Sequence, residues 1–246
     1  MRVQTKRREA TRRMVMIGLF SALAYVVMLA LHIKVSFLTL DVKDAVITLC
    51  GLYFGPVSAL IISLLVPLLE FITVSTTGVY GLIMNILGSV SFSVTASLIY
   101  KYKKTLWGAF LALFSGAFAM VAVMLLANLF ITPFYMGVTA EAVRGMIPSL
   151  LLPFNAIKAV LNVGFVLLFY KSVSRALRKT GFLPRARTAK PVMTPDEGSQ
   201  TVALSASRRK GHITTIVITA AAVLLITAAM VLIFTVLGGK FTFGIQ

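Results

Sequence analysis

The chain alternates between long apolar runs and short polar connections. Runs able to enter or cross a bilayer occupy residues 14–33, 45–72, 81–100, 106–131, 148–170 and 213–237. A hydrocarbon core takes roughly 20 helical residues, so each run reads as membrane helix. The 45–72 run is longer than one span needs and carries Gly55-Pro56 near its middle. Proline lacks a backbone donor and biases the residue before it away from helix. The pattern therefore predicts two short helices, 43–54 and 56–72, meeting in a tight turn; one kinked helix is the alternative.

The distribution of charge separates these two readings. Cytoplasmic loops of membrane proteins are enriched in Lys and Arg. With a turn at Gly55-Pro56, 19 of the 24 basic residues fall on one side. Six precede Met14, three lie at Lys101, Lys103 and Lys104, seven between Lys171 and Lys190, and three at Arg208, Arg209 and Lys210. With one kinked helix, the Lys101–Lys104 group would fall opposite the N-terminus. The turn is preferred. The expected organisation is a basic cytoplasmic N-terminus (1–13), a six-helix membrane domain (14–179), a basic cytoplasmic linker (180–212), a seventh membrane helix (213–237) and a short outer tail (238–246). The fold class is an all-α polytopic membrane protein of the cell membrane. Its N-terminus is cytoplasmic, and its C-terminus lies outside if the seventh helix spans. The first apolar run has no convincing cleavage site and is read as a retained helix, not a signal peptide.

Composition now narrows the function. The chain is 59% hydrophobic and 13% charged, yet its formal net charge is +17. That charge is an orientation signal on a lipid-embedded chain, and no nucleic-acid partner is expected. A single cysteine, Cys50, excludes a disulfide framework and a multi-cysteine zinc site. His32 and His212 are isolated, so no metal site is expected. There is no Gly-rich phosphate loop, no Ser/His/Asp pattern and no intramembrane carboxylate pair. Enzyme chemistry is not supported.

Polar residues inside the lipid zone are costly and usually face a cavity or a partner. They are Asn85, Asn128, Asn155, Lys158 and Asn162. Asn155, Lys158 and Asn162 are spaced three and four apart and share one helical face. Asparagines in membrane helices also simply bond a neighbouring helix, and that reading stands beside a ligand-binding one. Lys158 lies too deep to reach the outer surface easily, so it calls for a carboxylate or a ligand; Asp44 and Glu70 are the available carboxylates. Phe37, Tyr80, Phe130, Phe134 and Tyr135 can stack on a flat ring or form an interfacial aromatic belt. The polar turn at 73–78 can close over a site. The first helix carries Gly18 and Ala22, a small-xxx-small pair that lets another helix approach closely.

Taken together, these segments resemble the substrate-binding S components of energy-coupling factor (ECF) vitamin transporters. The resemblance rests on six helices in about 170 residues, the basic N-terminus followed by Met14-Val-Met-Ile-Gly18-Leu-Phe-Ser-Ala22, and the short second helix ending in Phe54-Gly55-Pro56. Gly81-Leu-Ile-Met-Asn85, Ile131-Thr-Pro-Phe-Tyr135 and Pro153-Phe-Asn155-Ala-Ile-Lys158 resemble the riboflavin-specific type in particular. The resemblance covers about residues 12–177. It implies an outward-opening pocket for a vitamin, with Asn155, Lys158, Asn128 and Asp44 (or Asp41) among the binding residues and Asn85, Leu40, Tyr80 and Phe134 beside them. It implies docking through Gly18 and Ala22 on a transmembrane coupling protein, and two cytoplasmic ATPases that hydrolyse ATP. Riboflavin is then transported substrate, and no cofactor is implied. The whole subunit is thought to topple in the membrane to deliver its cargo.

Two features depart from that pattern. Glu70 stands where some relatives carry a basic residue, and the linker and seventh helix lie outside the six-helix core. The competing readings are an S component for another vitamin or flavin derivative, an independent secondary transporter, and a non-transport membrane scaffold.

Overall fold

The computed structural model describes residues 2–182, 217, 219–232 and 235. The helices are α1 (Arg2–Ala30), α2 (Lys43–Phe54), α3 (Pro56–Thr73), α4 (Gly78–Tyr102), α5 (Leu106–Met136), α6 (Ala140–Met146) and α7 (Leu152–Lys179). A π-helical segment, Ile147–Leu151, joins α6 to α7. A further helix, α8 (Thr219–Leu232), is described within the 213–237 run. Among the described residues, five helical stretches are long and apolar enough to cross a membrane, including Pro56–Thr73 and the continuous Ala140–Lys179. All of the expected 180–212 linker beyond residue 182 and the tail at 238–246 lie outside the described residues, as do the flanks of the expected seventh helix.

The Gly55-Pro56 turn forms as expected. Gly55 has φ +94° and ψ 168°, a conformation that residues with a Cβ rarely adopt. Its N–H bonds the Gly51 carbonyl at 2.8 Å, closing α2. Pro56 then occupies the first turn of α3, where its missing donor costs nothing.

α2 is the central element. Its residues from Lys43 to Leu52 are all buried, and α1, α3, α4 and α7 all pack against it. This explains how a helix shorter than the bilayer is stable: protein, not lipid, surrounds it. Its contact with α4 is partly polar. Ser89, Ser93 and Ser97 are spaced by four and form one stripe on α4. Ser89 donates to the Asp44 carboxylate, and Thr48 donates to Ser93 at 2.9 Å. A Cβ on Gly51 would lie 2.0 Å from Ser97 Oγ, so only glycine permits this approach.

Three features go beyond the sequence pattern. α1 starts at Arg2, well before the apolar run, because Arg, Lys, Glu and Gln are good helix formers. Between α1 and α2 the chain forms an antiparallel hairpin, β1 (His32–Val35) and β2 (Leu38–Asp41), around a two-residue turn in which Ser36 has φ +57°. The helical stretch that ends in α7 begins at Ala140, before Pro148, and runs through α6 and the π segment without a break. α8 packs on α7 at Gly164, where a Cβ would come within 2.8 Å of Ile226 and 3.4 Å of the Ala222 carbonyl.

Candidate functional site

A cavity of about 800 Å³ lies between the hairpin, the end of α1, and α3, α4, α5 and α7. Its apolar lining includes Met28, Met84, Met120, Met124 and Phe154. The 73–77 turn borders it. Phe37, Tyr80 and Tyr135 also line it, with Tyr135 6.4 Å from Phe37 and 6.3 Å from Tyr80 between ring centroids. Mostly apolar walls with a few placed polar groups are the usual form of a small-molecule site.

The polar groups enter from α7 first. Pro148 lies within the π segment that precedes α7, and π segments recur at functional sites. One turn later come Asn155 and Lys158, both on the cavity wall. Asn155 is completely buried, and its Nδ2 donates to the Leu151 carbonyl at 2.8 Å. That bond fixes the orientation of the amide, because the flipped amide would set two oxygens against each other. Asn155 Oδ1 is left with no hydrogen-bond partner among the described residues. Buried acceptors are rarely unpaired without a reason.

Lys158 does not pair with Asp44 or Glu70, the carboxylates expected from sequence. Its Nζ lies 3.0 Å from Asp41 Oδ2 and 3.5 Å from the Thr39 carbonyl. The hairpin is responsible, since β2 carries both Thr39 and Asp41 to α7. Asp41 Oδ2 also accepts from Lys43 Nζ at 3.3 Å. Burial alone would raise the Asp41 carboxyl, but the ammonium groups of Lys158 and Lys43 outweigh it and hold it below the usual carboxylate range.

Lys43 extends this network. Its Nζ lies 2.7 Å from Glu70 Oε2 and 3.2 Å from Asn85 Oδ1, while Asn85 Nδ2 donates to Glu70 Oε1 at 3.0 Å. Glu70 and Asn85 line the cavity; Lys43, fully buried, sits behind them. An unbroken polar chain thus runs Lys158–Asp41–Lys43–Glu70–Asn85 across α7, β2, α2, α3 and α4.

The other expected site residues divide. Asn128 lines the cavity, but its side chain is engaged within α5: it donates to the Met124 carbonyl at 2.7 Å and accepts from Thr132 at 2.8 Å. Tyr80 is on the wall. Asp44 is buried beneath it against Ser89, and Leu40 packs with Val35, Phe154 and Leu161; neither is in the lining. Phe134 is 76% exposed and lies outside the cavity, with its neighbour Tyr135 taking the inward position. Asn162 leaves the stripe it shares with Asn155 and Lys158. It accepts from the Ala45 N–H at 2.7 Å, a donor at the start of α2 that also reaches the Val42 carbonyl at 3.2 Å, and donates to the Asp41 carbonyl at 3.3 Å. Gly18 and Ala22 are exposed together on one side of α1.

Sequence reasoning missed Lys43 and the bridging role of Asp41. The available signal was the opposite-charge pair Asp41/Lys43 immediately before a short buried helix. It also missed His32 and Lys34, which the hairpin brings to the cavity.

The fold and the cavity define a membrane-embedded, substrate-binding subunit. Residues 12–170 match the family model for the ECF transporter, substrate-specific component, and the chain belongs to that family. It is 29% identical over 181 residues to the riboflavin transporter RibU of Staphylococcus aureus (strain TCH60), an alignment covering 70% of this chain and 95% of that protein. A solved structure, described as that of the S component of a bacterial ECF transporter, matches with a TM-score of 0.60 and 28% identity, over 69% of this chain and 99% of that one. α8 lies beyond the family match.

Proposed function

We propose that this chain binds riboflavin from the outer side of the cell membrane and delivers it inward as the substrate-binding subunit of an ATP-driven importer. The observation that carries the reading is the pairing of an unsatisfied, fully buried acceptor, Asn155 Oδ1, with the Lys158 ammonium on the same wall. The pyrimidine edge of a flavin alternates carbonyl oxygens with an N–H. The N–H suits Asn155 Oδ1, and a carbonyl suits Lys158. The ring's broad faces suit the methionine walls and the Phe37, Tyr80 and Tyr135 rings. The hydroxylated side chain suits the 73–77 turn.

The similarity to a riboflavin transporter supports the same substrate. The charge distribution supports a cytoplasmic N-terminus, which puts the hairpin and the cavity mouth outside. The exposed Gly18 and Ala22 supply a smooth face on α1 for a transmembrane coupling protein, and two ATPases complete the importer. Calorimetry of the purified chain against riboflavin, FMN and thiamine tests the substrate. Tight binding of riboflavin with none of thiamine is expected. Binding of thiamine and not riboflavin would assign the chain to another vitamin. Uptake that needs an ion gradient and no ATPase partner would make it a secondary transporter.

A further inference from the structure

Lys43 is a fully buried ammonium that does not itself line the cavity. It bonds Asp41 at 3.3 Å, Glu70 at 2.7 Å and Asn85 at 3.2 Å. Breaking one member of a buried ion pair is strongly destabilising, but the pair itself is often no more stable than an apolar substitute. Stability is thus a weak explanation for placing a lysine here. The geometry suggests another. Asp41 Oδ2 is shared: Lys43 lies 3.3 Å from it and Lys158 3.0 Å. Alone with Lys158, Asp41 would aim its whole charge at that ammonium and draw it away from a ligand. Because Lys43 takes part of the same carboxylate oxygen, Lys158 is held in orientation while keeping charge and donors for a ligand.

We propose that Lys43 is a positioning residue for the binding site. It divides Asp41 between two ammonium groups so that Lys158 stays both fixed and available, and it anchors Glu70 and Asn85 on the facing wall by the same means. The proposal rests on the riboflavin reading above. Two carboxylates, Asp41 and Glu70, balance two lysines within the chain of contacts. A third carboxylate, Asp44, lies close enough to feel both ammonium groups and is occupied by Ser89.

The test is a double-mutant cycle, which separates positioning from general destabilisation. Lys43→Met/Glu70→Gln removes one charge of each sign, so the buried balance is kept. In the wild type, Lys158→Ala is expected to weaken riboflavin binding more than tenfold. In the Lys43→Met/Glu70→Gln background the same change is expected to cost less than threefold, because Asp41, no longer shared, there draws the Lys158 ammonium to itself and away from the ligand. Lys43→Arg keeps the charge and should restore the full penalty. An unchanged tenfold penalty in the double variant would overturn the proposal. If that variant does not fold, Lys43→Gln carries the same comparison; if neither folds, Lys43 is structural and the proposal falls. Wild-type protein that binds no riboflavin would sink the functional reading itself, a result distinct from all of these.

Discussion

Replacing Lys158 with alanine is the sharpest single perturbation of the site. The ammonium makes two contacts within the protein, to Asp41 at 3.0 Å and to the Thr39 carbonyl at 3.5 Å, and it borders the cavity. Loss of the side chain does not strand Asp41. That carboxylate still accepts from Lys43 Nζ at 3.3 Å and from the Lys43 backbone N–H at 3.2 Å. The Thr39 contact is long and its loss is minor. Folding should therefore survive, and the main loss falls on the ligand. A hydrogen bond involving a charged group contributes about 1.5–3 kcal/mol, which is about a tenfold to a hundredfold change in affinity. The assay is titration of detergent-purified wild type and Lys158→Ala with riboflavin, followed by calorimetry or by quenching of flavin fluorescence, with thermal unfolding of the ligand-free proteins as the control. A folded Lys158→Ala protein that binds as tightly as wild type would remove Lys158 from the site and refute the reasoning.

Three other changes test separate parts of the account. Asn162→Leu removes the shorter of the two bonds made by the Ala45 N–H, leaving the Val42 carbonyl at 3.2 Å, and takes a donor from the Asp41 carbonyl, so it should destabilise the protein by about 1 kcal/mol, seen as a lowered Tm; an unchanged Tm would show that the Val42 bond alone holds the α2 start. Gly51→Ala drives a methyl group to 2.0 Å from Ser97 Oγ and 2.7 Å from Ala59 Cβ, an overpacking that should cost about 1–3 kcal/mol; a Tm equal to wild type would contradict the close α2–α4 approach. Gly18→Leu or Ala22→Leu lies on an exposed face, with nothing within 4 Å of a Cβ at Gly18. Both should leave riboflavin affinity intact while reducing vitamin uptake and recovery of the coupling protein, and normal uptake in both would dismiss this docking face.

Much of the architecture was legible because membrane helices announce themselves by length and apolarity. The division at Gly55-Pro56 was legible for two reasons: proline and glycine have specific backbone roles, and the lysines at 101–104 must share a side with the N-terminus. The pairing of Asn155 with Lys158 on the cavity wall followed from helical spacing. Other features depend on tertiary placement. The two strands of the hairpin are four residues each, too short for a period-two pattern to stand out. Without the hairpin, nothing indicates that Asp41, rather than Asp44 or Glu70, meets Lys158. Helical phase near Pro133 decides that Tyr135 turns inward and Phe134 outward; both rings look equally suitable along the chain. Asn162 belongs to the same stripe as Lys158, but its carboxamide is taken by the start of a helix more than a hundred residues earlier.

The family match ends at residue 170, and α8 lies beyond it. It settles against α7 over Gly164, with Ala222 and Ala229 buried in the contact. Small residues on both sides let the two helices approach closely, as is usual within membranes.

Calorimetric titration of the purified full chain with riboflavin, and with thiamine as control, is the decisive measurement for a flavin site beside Asn155 and Lys158. Saturable one-to-one binding of riboflavin is expected, lost or weakened more than tenfold in Lys158→Ala, with no heat from thiamine. A folded wild-type protein that fails to bind riboflavin would contradict it.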